Sequence, residues 1–167
     1  MSHIEHKEKA KKCVSCAVIT VSDSRTTETD MGGKIIKEQL VLNSHEVIHY
    51  QIVKDEPAQI REVLLNLVLL ENCQAIIFNG GTGISRRDRT FDVIDSLLEK
   101  RLTGFGEIFR YLSYLDIGSS AIMSRACAGT YQGRVVISIP GSPAAVKLAL
   151  EKLILPEITH MVWELSR

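Results

Sequence analysis

Two aspartates, two arginines and a glycine-rich tetrapeptide hold most of the chemistry this chain can offer. Gly80-Gly81-Thr82-Gly83 is followed by Arg86, Arg87 and Asp88, and Asp55 stands upstream at the end of an apolar run. Glycines let backbone N–H groups approach an anion closely, and guanidinium groups neutralise phosphate. Asp55 and Asp88 together could hold a Mg2+ that polarises a phosphoryl centre. Each feature also has a plainer reading. Asp55 ahead of Pro57 could simply N-cap a helix, Asp88 could be a solvated loop acid, and glycine-rich turns are common after strands.

Other motifs lose their meaning in context. His45-Glu46-Val47-Ile48-His49 spells H-E-x-x-H, which binds zinc only when both histidines share a helix face. Val47, Ile48, Ile52 and Val53 favour a strand instead, and there the two Cα atoms stand about 13 Å apart. Cys13-Val14-Ser15-Cys16 enters a strand rather than a helix, and Cys73 and Cys127 stand alone, so neither a redox pair nor a four-cysteine zinc site is expected. There is no Walker A loop, no dinucleotide fingerprint and no nucleophile elbow.

The elements that must position the glycine loop are legible from periodicity. Ala17 to Val21, Val47 to Val53, Ala75 to Phe78 and Val135 to Ile139 read as buried, β-branched strands. Between them lie helical patterns. Lys34 to Leu42 places Ile35, Ile36, Gln39 and Leu40 along a buried edge. Ile60, Val63, Leu64, Leu67 and Val68 form a full i, i+3, i+4, i+7, i+8 stripe. Phe91, Ile94 and Leu98 make one stripe, and Ile108, Leu112 and Leu115 another. Val146, Ala149, Leu150, Leu153 and Ile154 continue past Pro156 into Ile158, Met161, Val162 and Leu165. Alternating strands and helices predict a three-layer α/β/α fold with a mostly parallel central sheet. In such a sheet the loops Ser22-Asp23-Ser24-Arg25-Thr26, Gly80 to Asp88 and Pro140-Gly141-Ser142-Pro143 converge at the carboxyl ends of the strands, where ligands bind.

Length and charge bound the partners. With 167 residues the chain fits one domain, residues 13–167, behind a Lys-, Glu- and His-rich arm, residues 1–12, expected to be flexible. Twenty Lys and Arg cancel twenty Asp and Glu. No global field recruits nucleic acid or an anionic membrane, so a charged ligand must be recognised locally. No apolar run reaches the roughly 18 residues of a membrane span. Lys7 to Lys12 followed by Cys13 to Val21 imitates a signal peptide but lacks a small-residue cleavage site, which points to a cytoplasmic protein with reduced thiols.

Six ordered motifs then carry a resemblance: Val18-Ile19-Thr20-Val21-Ser22-Asp23, Gly80-Gly81-Thr82-Gly83, Arg87-Asp88 with Thr90, Gly104-Phe105-Gly106-Glu107, Ser124-Arg125-Ala126 and Pro140-Gly141-Ser142-Pro143. From about Cys16 onward the chain resembles the MoaB/MogA family of molybdenum-cofactor biosynthesis proteins. Phe109 to Ser113 and Leu153 to Ile158 are closer to the MoaB branch. The resemblance implies a molybdopterin-binding fold and adenylylation of molybdopterin by Mg-ATP with release of pyrophosphate. It assigns Asp55 and Asp88 as catalytic, metal-holding carboxylates and Ser113 as a pterin-side serine. It places Ser22, Asp23, Gly80, Gly81, Thr82, Gly83, Pro140, Gly141 and Ser142 in the binding pocket, with Arg86 and Arg87 neutralising phosphate. A non-catalytic pterin-binding or scaffold subunit of the same pathway is the rival it leaves open. It also implies a homotrimer or a hexamer. Phe105, Phe109, Tyr111 and Tyr114 crowd one helix, and if Ile108, Leu112 and Leu115 face the core, Tyr111 and Tyr114 must face another surface.

Overall fold

A computed structural model describes residues 13–167; the arm expected over residues 1–12 lies outside the described residues. Six strands form one sheet in the order β2-β1-β3-β6-β5-β4. Its parallel part comprises β1 (Ser15–Val21), β2 (Glu46–Val53), β3 (Ala75–Asn79) and β6 (Arg134–Ile139). These are the four strands expected from sequence, each longer by one or two residues. The antiparallel strands β5 (Cys127–Tyr131) and β4 (Lys100–Arg101) complete the edge. Sequence periodicity did not anticipate either. Their visible signal is Gln132-Gly133, whose φ values of +45° and +71° make the two-residue turn that joins β5 to β6.

Because strand side chains alternate between faces, each strand feeds two cores. Cys16, Val18, Ala75, Ile77, Val135 and Ile137 pack with α1 (Met31–Leu42), α4 (Thr103–Ile117), α5 (Pro143–Ala149) and α6 (Leu155–Leu165). Ala17, Ile19, Ile76, Phe78 and Val136 pack with α2 (Pro57–Val68) and α3 (Thr90–Leu97). The five residues of the α2 stripe are all buried. A π turn over Leu150–Ile154 precedes Pro156, so the chain absorbs the missing proline N–H without breaking, and the stripe from Val146 to Ile158 stays on one face.

The stripe expected on α4 is corrected. Ile108 and Leu115 are 50% and 65% exposed, while Phe105, Gly106, Phe109 and Ser113 are buried and Leu112 is half-buried. Two phenyl rings offer more apolar area than Ile108 and Leu115. A Cβ at Gly106 would stand 2.5 Å from the Ala126 carbonyl oxygen, so the glycine on this face lets the helix approach the chain entering β5 closely, whereas a Cβ at Gly104 would meet nothing within 4 Å. Tyr111 and Tyr114 do lie outside the core, together with Ile108, Leu115, Ile117 and Ile122.

His45 and His49 occupy the extended segment at β2, as their β-branched neighbours required. His45 Nδ1 accepts the Val14 N–H at 3.2 Å, and burial lowers its pKa. Among the described residues no cluster of three or more His, Cys, Asp or Glu could hold a metal ion. Cys16 is fully buried in β1, and burial pushes its thiol far above the usual range. Burial also raises Cys73 to about 11 and Cys127 to about 12, so these are packing thiols. No helix among the described residues is long and apolar enough to cross a membrane.

Candidate functional site

The three loops meet at the carboxyl ends of β1, β3 and β6 around a cleft of about 380 Å3. Glycines permit the meeting. Gly80 (φ +98°) donates its N–H to Ile139 O at 3.0 Å, and a Cβ on it would overlap the Val21 carbonyl. A Cβ on Gly141 would lie 3.0 Å from Gly80 Cα. Ser22 N–H donates to Val53 O at 2.9 Å, and Ser22 Oγ accepts from Ser24 and Arg25 N–H, which curls its loop toward the cleft. Ser142 Oγ accepts from Ala145 N–H and starts α5 directly before Pro143.

Of the residues singled out in the sequence, Ser22, Gly80, Gly81, Thr82, Gly83, Asp88, Pro140, Gly141 and Ser142 line this cleft. Asp55 lies behind Gly81. The residue is 6% exposed, and its carboxyl accepts from Arg89 N–H at 3.1 Å and Thr90 Oγ1 at 3.3 Å. The capping role expected for Asp55 on α2 is thus corrected. Glu56 holds the N-cap position there without a side-chain hydrogen bond, and Asp55 serves the amino end of α3 instead. Asp88 closes a turn by accepting Ser85 N–H at 2.9 Å. Both carboxylates pack on the glycine loop, since a Cβ at Gly81 would overlap Asp55 Oδ2 and one at Gly83 would stand 2.6 Å from Asp88 Oδ2. Burial raises the Asp55 pKa, and the charges of Asp88 and Asp23 add to the rise against its two hydrogen bonds.

The arginines divide. Arg86 is exposed on the loop. Arg87 bridges two acids, donating from Nε and Nη2 to Asp23 Oδ2 at 3.1 and 2.8 Å and from Nη1 to Glu56 Oε1 at 2.8 Å. The Arg87 hydrogen bonds, then the Asp55 N–H, hold the Asp23 carboxyl below the usual range. Ser113 is buried on α4, donates to Phe109 O at 2.8 Å, and borders a smaller cleft of about 120 Å3 that shares Ser124, Pro140 and Ser142 with the main one.

Several residues with no role assigned from sequence turn out to build the site. Arg125 donates to the carbonyls of Thr82 and Gly83, pairs with Asp92 at 2.8 Å and stacks 4.7 Å from the Phe91 ring centre. Because C=O and N–H of a trans peptide point opposite ways, this turns the N–H groups of Gly83 and Ile84 away from Arg125. Only its place in Ser124-Arg125-Ala126 marked it in the sequence. Arg25, Met123 and Ser124 also line the cleft. Beneath it, Asp30 (2% exposed) accepts Gly33 N–H at 2.9 Å, Tyr50 O–H at 2.7 Å and the Thr20 hydroxyl, while Asn79 Nδ2 donates to Thr20 Oγ1 at 2.9 Å. Burial and the bond to Asp30 push the Tyr50 phenol far up.

Comparison with known proteins identifies the fold and the family. A Bacillus subtilis (strain 168) protein named Molybdenum cofactor biosynthesis protein B is 51% identical over 168 residues, which span 100% of this chain and 99% of the relative. A crystal structure of a Molybdenum cofactor biosynthesis protein B superposes with a TM-score of 0.92 at 48% identity, over 95% of this chain and 99% of that one. The tungsten cofactor synthesizing protein MoaB from Pyrococcus furiosus gives 0.83 at 36% identity, over 95% and 100%. A family profile described as "Probable molybdopterin binding domain" matches residues 17–160. With the glycine loop and both carboxylates inside that span, the chain belongs to the molybdopterin-binding family of molybdenum-cofactor biosynthesis proteins.

Proposed function

We propose that this protein binds molybdopterin in the main cleft and transfers an adenylyl group to it from ATP, in the cytoplasm. The observation that carries the reading is the packing of Asp55 and Asp88 on Gly81 and Gly83 of one anion-binding loop. In this reaction an oxygen of the terminal phosphate of molybdopterin bonds to the α-phosphorus of ATP. The bond from that phosphorus to the bridging oxygen breaks, and pyrophosphate leaves. The nucleophile is already an anion, so positioning and charge neutralisation matter more than a base. Backbone N–H groups of Gly81 to Gly83 hold phosphate oxygens while Gly80 N–H stays bonded to Ile139 O, Arg86 and Arg87 neutralise the polyphosphate, and Ser22, Asp23, Ser113 and Pro140 to Ser142 form the pterin side.

The donor set fits Mg2+. That ion takes one or two carboxylates and completes its shell with water and substrate phosphates, and two carboxylates packed against one loop match this better than a closed cage would. Burial and neighbouring negative charge disfavour ionised Asp55, and a cation held with Asp88 would offset both. When bound there, Mg2+ supplies charge neutralisation at the reacting phosphates. The test is incubation with molybdopterin, Mg2+ and labelled ATP. Adenylylated pterin is expected, and its absence under saturating conditions rejects the transfer. One observation favours the pterin-binding subunit as a second reading: Arg87 is held between Asp23 and Glu56. Calorimetric pterin binding without labelled product would select it.

We further propose that the apolar face left by α4 (Ile108, Tyr111, Tyr114, Leu115, Ile117 and Ile122) is covered by other copies of the chain in a trimer or hexamer. Light scattering at micromolar concentration is expected to give at least three times the 18.6 kDa chain mass. A monomer mass there defeats it.

A further inference from the structure

The cleft floor has a fixed hydrogen-bonding polarity. Asp30 gathers three donors, and one of them is the single hydroxyl hydrogen of Thr20. Thr20 Oγ1 can then only accept from Asn79, whose Nδ2 lies 2.9 Å from it and 3.3 Å from Ile19 O. The opposite amide orientation would set Asn79 Oδ1 against two oxygens with no hydrogen between them, so the network decides the orientation. Oδ1 therefore turns toward Gly32 and Gly141, where a Cβ would stand 2.9 and 3.7 Å from it. Thr20, Asn79 and Gly141 all line the cleft. Asn79 is only 1% exposed, yet Oδ1 accepts no hydrogen bond from any described residue and, unlike Ser138 Oγ, is not sealed from solvent.

We infer that Asn79 Oδ1 is a specificity determinant that reads an N–H donor on the amine-bearing edge of a fused nitrogen heterocycle, and that Asp30 is the positioning residue that keeps this acceptor facing the ligand. A carbonyl oxygen on the floor disfavours phosphate there, so it also orients the ligand, with its heterocycle on the floor and its phosphate at Gly81 to Gly83. The inference rests on the proposed use of the cleft. Both pterin and adenine carry an exocyclic amine, and the shared chemistry is an amino group facing a buried acceptor that is left unpaired without it.

The test measures ratios of affinity by calorimetry on the full chain. One arm compares ATP with inosine triphosphate, the other a 6-hydroxymethyl pterin with its lumazine counterpart, so that an oxo group replaces the amine in each. Wild type is expected to prefer the amino member of one pair by at least about tenfold, and the pair that responds identifies the heterocycle on the floor. Asn79→Ala brings that ratio near one. Asp30→Asn lowers it: the new amide donates to Thr20 and Tyr50, the Thr20 hydrogen turns to Asn79, and the rotated amide, which gives up the Ile19 O bond, competes with the original one and offers N–H to the oxo analogue. A purely structural role for Asp30 would weaken both members of a pair equally and refute its positioning role. If Asp30→Asn fails to fold, Asn79→Ala decides alone. Binding of both members with ratios near one in wild type, or a wild-type ratio in Asn79→Ala, overturns the inference while leaving the functional reading standing. Absence of any pterin or nucleotide binding refutes both.

Discussion

Asp88→Asn is expected to abolish adenylyl transfer and leave the fold intact. Asp88 lies in the loop between β3 and α3, outside both hydrophobic cores, and its structural bond is the one from Ser85 N–H, which an asparagine oxygen accepts equally well. The substitution therefore removes a negative charge and little else. If that charge helps hold Mg2+ against the substrate phosphates, the rate at saturating Mg2+ should fall by at least about a hundredfold with an unchanged melting curve. Asp55→Ala gives a useful contrast. The Asp55 carboxyl is buried and accepts two hydrogen bonds at the start of α3, both of which alanine loses, so loss of activity should come with about 1 kcal/mol of destabilisation. Wild-type turnover in Asp88→Asn would sink the assignment of this carboxylate. A melting curve depressed as far as that of Asp55→Ala would show that Asp88 supports the fold.

That contrast marks where sequence reasoning stops. Both aspartates were legible as candidates, because acids flanking a glycine loop after a buried strand suit phosphate chemistry. Which of them supports the scaffold was not, because Asp55 caps a helix 34 residues further along the chain. Local capping rules look only at the adjacent helix. The buried face of α4 failed for a related reason. Two apolar stripes were available on it, and the choice is made by the close approach of Gly106 to Ala126, a contact that periodicity does not contain. Strands β4 and β5 were missed because two residues are too short a run for periodicity in β4, Ala128, Gly129 and Thr130 carry little β-branched signal in β5, and antiparallel pairing of β5 with β6 and of β4 with β5 stabilises them from outside. By contrast, the parallel strands and the convergence of three loops follow from continuous apolar runs and from the rule that such sheets bind ligands at their carboxyl ends. Asn79, Thr20 and Asp30 are ordinary letters in the sequence, and only the register of β1 against β3 makes them one network.

Gly81→Val should be the most damaging single change in the loop. Gly81 has φ +63°, a conformation that costs an L-residue about 1–2 kcal/mol and a β-branched one more. Space is refused as well, since a Cβ at Gly81 would overlap Thr90 Oγ1 and Asp55 Oδ2. Relief requires either that the loop lift off the amino end of α3, breaking the Thr90 N–H bond to Gly81 O, or that Asp55 swing away from its two donors. Both movements disturb the surface on which phosphate is proposed to rest. The variant should melt lower than wild type and bind pterin at least about tenfold more weakly, the loss expected when backbone donors no longer converge on an anion. Gly104→Ala is the matched control. A Cβ at Gly104 meets nothing within 4 Å and its φ is not positive, so affinity should stay at the wild-type value and the melting temperature at or slightly above it, since alanine is the better helix former. If a folded Gly81→Val retains wild-type pterin affinity by calorimetry, the anion binds elsewhere, and the glycine loop serves only to seat β3 against α3.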